Sequence, residues 1–123
     1  MDSNSTPPER FDHLRLGRHG EDRAAQWYAS RGYVVVARNW SCSDGELDLI
    51  VSSGREIVFC EVKTRSSERF GSPFEAVNHA KQVKIRSLAM RWLSEAAPFR
   101  PTSIRFDVAA VIGSRVDVVV EAF

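Results

Sequence analysis

The stretch DGELDLIVSSGREIVFCEVKTR, residues 44–65, constrains the fold more than any other part of the chain. Two runs rich in Val, Ile, Leu and Phe flank Gly54-Arg55, and a glycine at the first loop position suits a two-residue type II′ turn. That loop pairs Ser53 with Glu56, Ile50 with Phe59, Asp48 with Glu61, and Glu46 with Lys63. Because side chains alternate along a strand, Leu47, Leu49, Val51, Val58, Cys60 and Val62 form one wholly apolar face, which predicts core. The other face is apolar near the turn, with Ile50 and Phe59, and ionic at its far end, with Glu46, Asp48, Glu61 and Lys63. A loop at Ser53-Gly54 keeps both Asp48 and Glu61 on that face but sets Glu46 opposite Glu61.

Like charges directly opposed weaken a sheet, so the Asp48–Glu61 pair requires a cation. Lys63, on the same face, is one candidate. A divalent metal is the stronger one, since hard cations are held by one or two carboxylates plus waters and substrate phosphates. Such a site polarises a phosphoryl oxygen and lowers the pKa of a bound water. Lys63 would then stabilise the developing charge or orient the attacking water. A structural ion-pair cluster at a sheet end accounts for the same residues without chemistry. Upstream, Glu21 shares helical spacing with Ala24, Ala25 and Tyr28, and a carboxylate on an inner helix face is costly unless paired or coordinated. Its alternatives are capping a backbone group or pairing with Arg18.

Around the hairpin, the apolar spacing predicts a helix over 14–30, ended by Gly32. A Val- and aromatic-rich strand follows over 33–40, then turn chemistry over 41–45. Ser72, Pro73 and Glu75 carry a helix-start signature, and Asn78 offers a second start. Ile85, Leu88, Ala89, Trp92, Leu93 and Ala96 then mark a long amphipathic helix that Pro98 and Pro101 end. Two further strands, SIRFDVAAVI and RVDVVVEAF, meet at Gly113-Ser114, a two-residue hairpin loop. The order α-β-β-β-α-β-β predicts an α/β fold, a mixed central sheet flanked by helices.

A chain of 123 residues supports one hydrophobic core. Residues 14–123 are expected to form that single domain, and the Ser, Asn and Pro of residues 1–13 suggest a mobile tail. Composition is that of a soluble globular protein, and a net charge of +1 points to no class of partner. No apolar run spans a membrane or resembles a secretory signal. Cys42 and Cys60 lack metal-type spacing and read as reduced thiols of a cytoplasmic protein. Locally, seven basic residues against two acids between Lys63 and Arg91 could track a phosphate backbone. Arg65, Lys81 and Lys84, nearest the acids, are the candidate nucleic-acid contacts, whereas Arg86 and Arg91 equally suit a solvated helix face. Residues 66–72 read as a polar loop that could contact substrate or merely connect. Trp92 reads as core, Trp40 and Asp107 are left without a role, and His13, His19 and His79 are dispersed.

The segments GRHGEDRAAQWYASRGYVVVARNW, GELDLI, VFCEVKTR, FGSPFEAVNHAKQVKI and RFDV, in this order, resemble the YraN family of uncharacterised bacterial proteins. That family is similar to the restriction-endonuclease-like, or PD-(D/E)xK, superfamily and to archaeal Holliday-junction resolvases. The resemblance implies a restriction-endonuclease-like fold and Mg²⁺- or Mn²⁺-dependent phosphodiester hydrolysis in DNA, branched DNA among the candidates. Glu21 matches the first-helix acid, Asp48 the central Asp, and Glu61 and Lys63 the E-x-K pair, with Leu47 standing where Pro is frequent. All four are implied to be catalytic, and Asp48, Glu61 and Glu21 to hold the metal. A homodimer is also implied, with VDVVVEAF as the candidate interface. The alternative is a non-catalytic nucleic-acid-binding module that retains the look of such a site; a third reading is an interaction protein whose carboxylates stabilise the sheet.

Overall fold

A computed structural model describes residues 8–65 and 77–123, with side chains from residue 16 onward. Its elements run α1 (Pro8–Ala29), β1 (Val34–Cys42), β2 (Gly45–Ser53), β3 (Glu56–Arg65), α2 (His79–Glu95), β4 (Ser103–Ile112) and β5 (Arg115–Val119). The expected order holds, and the strands form one sheet in the spatial order β1-β2-β3-β4-β5. All neighbours are antiparallel except β3 and β4, which are parallel and joined through α2. A parallel pair needs such a crossover, and a helix supplies it.

The loops follow the expected turn chemistry. Gly54 (φ 59°) and Gly113 (φ 62°) each occupy the first position of a two-residue loop, between Ser53–Glu56 and Ile112–Arg115. Gly32 (φ 89°) ends α1, and its N–H and that of Tyr33 donate to the carbonyls of Ala29 and Tyr28, the bonds of a Schellman cap. Asn78 caps α2 by accepting the Lys81 N–H at 2.9 Å, so the second of the two anticipated starts lies at the described helix. The Ser72 signature and the 66–72 loop lie outside the described residues.

Two element boundaries depart from expectation. α1 begins at Pro8 rather than Leu14; residues 8–13 are mostly polar, so apolar periodicity cannot mark them. β5 stops at Val119 although VDVVVEAF reads as strand throughout. There Glu121 (φ 54°) turns the chain, the Ala122 N–H donates to the Phe106 carbonyl, and Phe123 stacks on Phe106. That stack removes an exposed Phe from water at the cost of further pairing with β4.

The sheet separates two cores. On one face Leu49, Val51, Val58, Cys60 and Ala109 pack against Ala24, Ala25 and Tyr28 of α1. On the other, Ile50, Ile57, Phe59, Phe106 and Val108 pack against Ile85, Leu88, Ala89 and Trp92 of α2, with Trp40 partly covered at the margin. Trp92 is therefore core, and the apolar face of each helix meets the sheet as its spacing predicts. Leu47 is the exception: it packs on the α2 side, not with Leu49 and Val51. His19 and Arg23 anchor α1 laterally by bonding the carbonyls of Gly113 and Ser114 in the β4–β5 turn.

Asp107, without a role in the sequence, lies fully buried under α1. It accepts the Tyr28 hydroxyl at 2.5 Å, a two-pronged bond from Arg105 at 2.9 Å on each oxygen, and the Glu121 N–H at 3.0 Å. This carboxylate is saturated with donors, which is how a buried charge becomes tolerable. Burial also pushes the Tyr28 phenol above its usual range, keeping it a donor. Asp107→Ala takes the two-pronged acceptor from Arg105, which keeps Glu56 and Tyr33, and the acceptor of the buried Tyr28 hydroxyl, and is expected to cost about 3–5 kcal/mol in urea unfolding; a loss below about 1 kcal/mol would show the network to be incidental.

Candidate functional site

The β2–β3 ladder pairs Ser53 with Glu56 and continues to Leu49 with Cys60, where it stops. Asp48 and Glu61 are thus not the opposed ladder pair that a regular register predicts, nor are Glu46 and Lys63. The Asp48 carboxylate instead accepts the Val62 N–H at 2.9 Å. A side-chain oxygen takes the place of a strand carbonyl, and the two strands part around it. The disturbance has a counterpart in β1. Asn39, between the pairs Arg38–Leu49 and Trp40–Leu47, has φ 52°, a left-handed conformation that Asn tolerates better than most residues. Alternation resets here, which is why Leu47 changes face.

At this opening the charges gather. The Glu61 side chain is only 7% exposed, and both Lys63 Nζ and Lys81 Nζ reach its Oε2 at 3.3 Å. Lys63 is its neighbour on β3; Lys81 comes from the first turn of α2. The sequence reading set Lys81 among the nucleic-acid contacts, but its first partner is the acid itself. Asp48 lies against Glu61, and its carboxyl is pushed up to about 7, chiefly by burial, then by the charge of Glu61 and more weakly by that of Glu21; the Val62 N–H pulls the other way. Near neutral pH this pair therefore holds a proton that an exposed Asp would have released.

Glu21 approaches from α1, its side chain 17% exposed. Its Oε1 accepts the Asn39 amide at 2.9 Å, while Arg38 comes no nearer than 4.0 Å and bonds Asp22 at 2.6 Å. Arg18, the anticipated partner, makes no such bond. α1 can lie this close because of Gly20, where an added Cβ would run into the Thr64 hydroxyl of β3. Glu21, Asn39, Arg38, Arg18, Asp22 and Glu46 line a cleft of about 570 Å³. Among the described residues, no three His, Cys, Asp or Glu side chains gather around one point, so the expected trio is not closed: Asp48 and Glu61 meet, and Glu21 stands beside them.

The remaining candidates lie around this cluster. Arg65, half-buried at the end of β3, donates to the Thr64 carbonyl. Lys84 is exposed on α2, its chain lying along Gly45 at the start of β2. Arg91 pairs with Asp44 and Glu95, and Arg86 lies over the rings of Phe106 and Phe123, so neither points at the acids. Sequence reasoning missed Asn39 and Lys81's contact with Glu61. The one available signal was an Asn in the middle of an otherwise Val- and aromatic-rich strand.

Residues 20–111, which contain Glu21, Asn39, Asp48, Glu61, Lys63 and Lys81, match the family described as Uncharacterised protein family UPF0102. The chain belongs to that family. It is 53% identical over 96 residues to a UPF0102 protein of Frankia alni, covering 78% of this chain and 79% of that one. A UPF0102 protein of Nocardia farcinica is 47% identical over 102 residues (82% and 79% covered), and one of Acidothermus cellulolyticus 42% over 111 (83% and 84%). No helix among the described residues is long and apolar enough to cross a membrane.

The donor set of this UPF0102 chain fits a hard divalent cation. Asp48 and Glu61 supply oxygen only, the number of carboxylates matches what Mg²⁺ commonly takes from protein, and the proton that Asp48 retains is what a cation would displace. Its pH linkage is testable without metal. The folded carboxyl titrates near 7 and the unfolded one near about 3.9, so between these values the folded state binds more protons. Stability accordingly falls as pH rises through that window. Asp48→Asn removes the effect: from about pH 4 to about pH 8 the wild type should lose stability relative to the variant in urea unfolding. Parallel pH profiles would refute the raised pKa.

Proposed function

We propose that this UPF0102 protein is a metal-dependent nuclease of restriction-endonuclease-like type, hydrolysing phosphodiester bonds in DNA, branched DNA included. The observation that carries the reading is the Asp48–Glu61 pair, two carboxylates brought together where the sheet opens, with the Lys63 ammonium 3.3 Å from Glu61. Asp48 and Glu61 would hold Mg²⁺ or Mn²⁺, and Glu21 would supplement them from α1. Once bound, the ion would polarise a phosphoryl oxygen and acidify a water. Lys63, beside Glu61, would stabilise the developing charge through its ammonium. Lys81, which reaches Glu61, would hold the phosphate backbone together with Lys84 and Arg65. The motif resemblance to Holliday-junction resolvases supports the superfamily placement, and with it a homodimer, two sites serving two cuts, in the cytoplasm.

One observation favours a second reading, a nucleic-acid-binding protein without turnover. Glu61 is already bonded by two ammonium groups, so the cluster can stand without a metal. A cleavage panel separates the two: purified protein with single-stranded, duplex, flap and four-way-junction DNA, in Mg²⁺, Mn²⁺ or chelator. Metal-dependent cutting should fall by at least about 100-fold in Glu61→Gln and in Lys63→Ala. Cutting that survives both substitutions would discard the site. Binding without cutting under any metal, unchanged in Asp48→Asn and weakened by Lys81→Ala with Lys84→Ala, would establish the second reading.

A further inference from the structure

We propose that Asn39 is a positioning residue for the metal site, orienting the Glu21 carboxylate towards the Asp48–Glu61 pair; this rests on the nuclease reading above. Two independent observations carry it. The first is the backbone. Asn39 holds φ 52° inside a strand, at the position facing Asp48 between two regular ladder pairs. Strain of this kind persists only where the surroundings enforce it, and it concentrates at functional sites. The second is the side chain, whose amide Nδ2 donates to Glu21 Oε1 at 2.9 Å across the cleft between β1 and α1.

The chemistry of the donor matters. An amide fixes a carboxylate without cancelling its charge, whereas the adjacent guanidinium, Arg38, is drawn to Asp22 at 2.6 Å and stays 4.0 Å from Glu21. Glu21 is thus oriented by a neutral donor, and no hydrogen bond among the described residues takes its Oε2. That is the state a ligand to a hard cation requires, and groups that orient ligands in this way are worth about 10- to 100-fold in metal affinity. The same residue links both halves of the site. Its backbone turns left-handed opposite the end of the β2–β3 ladder, and its side chain bonds Glu21.

The left-handed φ supplies the control. Asn39→Gly accepts that backbone without strain and deletes only the amide, while Asn39→Asp keeps the shape and sets an acceptor against Glu21. Mn²⁺ binding by isothermal titration calorimetry, thermal midpoints, and kcat and KM on whichever DNA the wild type cleaves are the readouts. Asn39→Gly should keep the wild-type midpoint and KM while its Mn²⁺ dissociation constant rises about 10-fold and kcat falls; Asn39→Asp should be weaker still. Wild-type Mn²⁺ affinity in Asn39→Gly overturns the proposal while leaving the nuclease reading intact. So does a fall in thermal midpoint with affinity unchanged, the signature of a structural role. A wild type that binds no Mn²⁺ would overturn both.

Discussion

The bond from the Val62 N–H to the Asp48 carboxylate, 2.9 Å long, is the contact on which the arrangement of the site depends. A strand N–H at this position ordinarily finds a carbonyl across the ladder. Giving it a side-chain oxygen satisfies the donor, as any covered backbone group requires, while releasing β2 from β3. The strands can then diverge without orphaned hydrogen bonds. Divergence makes room for Lys81 from one helix and Glu21 from the other, so charges from both sides of the sheet converge at one end. A regular ladder would have kept the two layers apart, with the carboxylates on the α2 face alone.

Two acid clusters in this small domain show what a stabilised carboxylate looks like and what an unstabilised one looks like. Asp107 accepts bonds from a hydroxyl, a guanidinium and a main-chain N–H, and its partners are themselves packed. Tyr28 and Glu21 lie on the same helix, about two turns or 10 Å apart. α1 therefore serves a structural network with one residue and the candidate site with the other. Gly20 connects the two roles: the close approach that buries Ala24 and Tyr28 brings Glu21 to the edge of the sheet.

Much of this fold is legible in the chain because its signals are local. Period-two alternation marks β2 and β3, glycines mark the two tight turns, and the spacing of Ile85, Leu88, Ala89 and Trp92 gives the buried face of α2. That Asp48, Glu61 and Lys63 gather at one end of the hairpin was also readable from the register, and motif order added Glu21 as a candidate. Their geometry was not. A regular register cannot anticipate the place where a ladder breaks, so Asp48 was expected opposite Glu61 and Leu47 on the wrong face. The rotation of α2 over the sheet is set by packing at Phe59 and Trp92, which no spacing within α2 encodes, so Lys81 was expected at the phosphate rather than on Glu61. Asn39 carries no periodic signal at all.

The distribution of positive charge bears on what the acid pair is for. Asp48 and Glu61 face Lys63 and Lys81, so the four formal charges cancel. Were the cluster there to stabilise the sheet, each carboxylate would gain most from its own ammonium, since Coulomb attraction falls with distance and burial sharpens it. Instead both ammonium groups reach the same oxygen of Glu61, while among the described residues Asp48 bonds the Val62 N–H and the Glu61 carboxyl. Among the described residues the more burdened acid is the one without an ion pair, and its carboxyl is pushed up to about 7. Stability alone does not account for that asymmetry, because moving either lysine to Asp48 would relieve it. The proposed site, exchanging a proton for a cation, would account for it. In that proposal Asp48 would exchange its proton for the cation, beside a Glu61 held by two lysines.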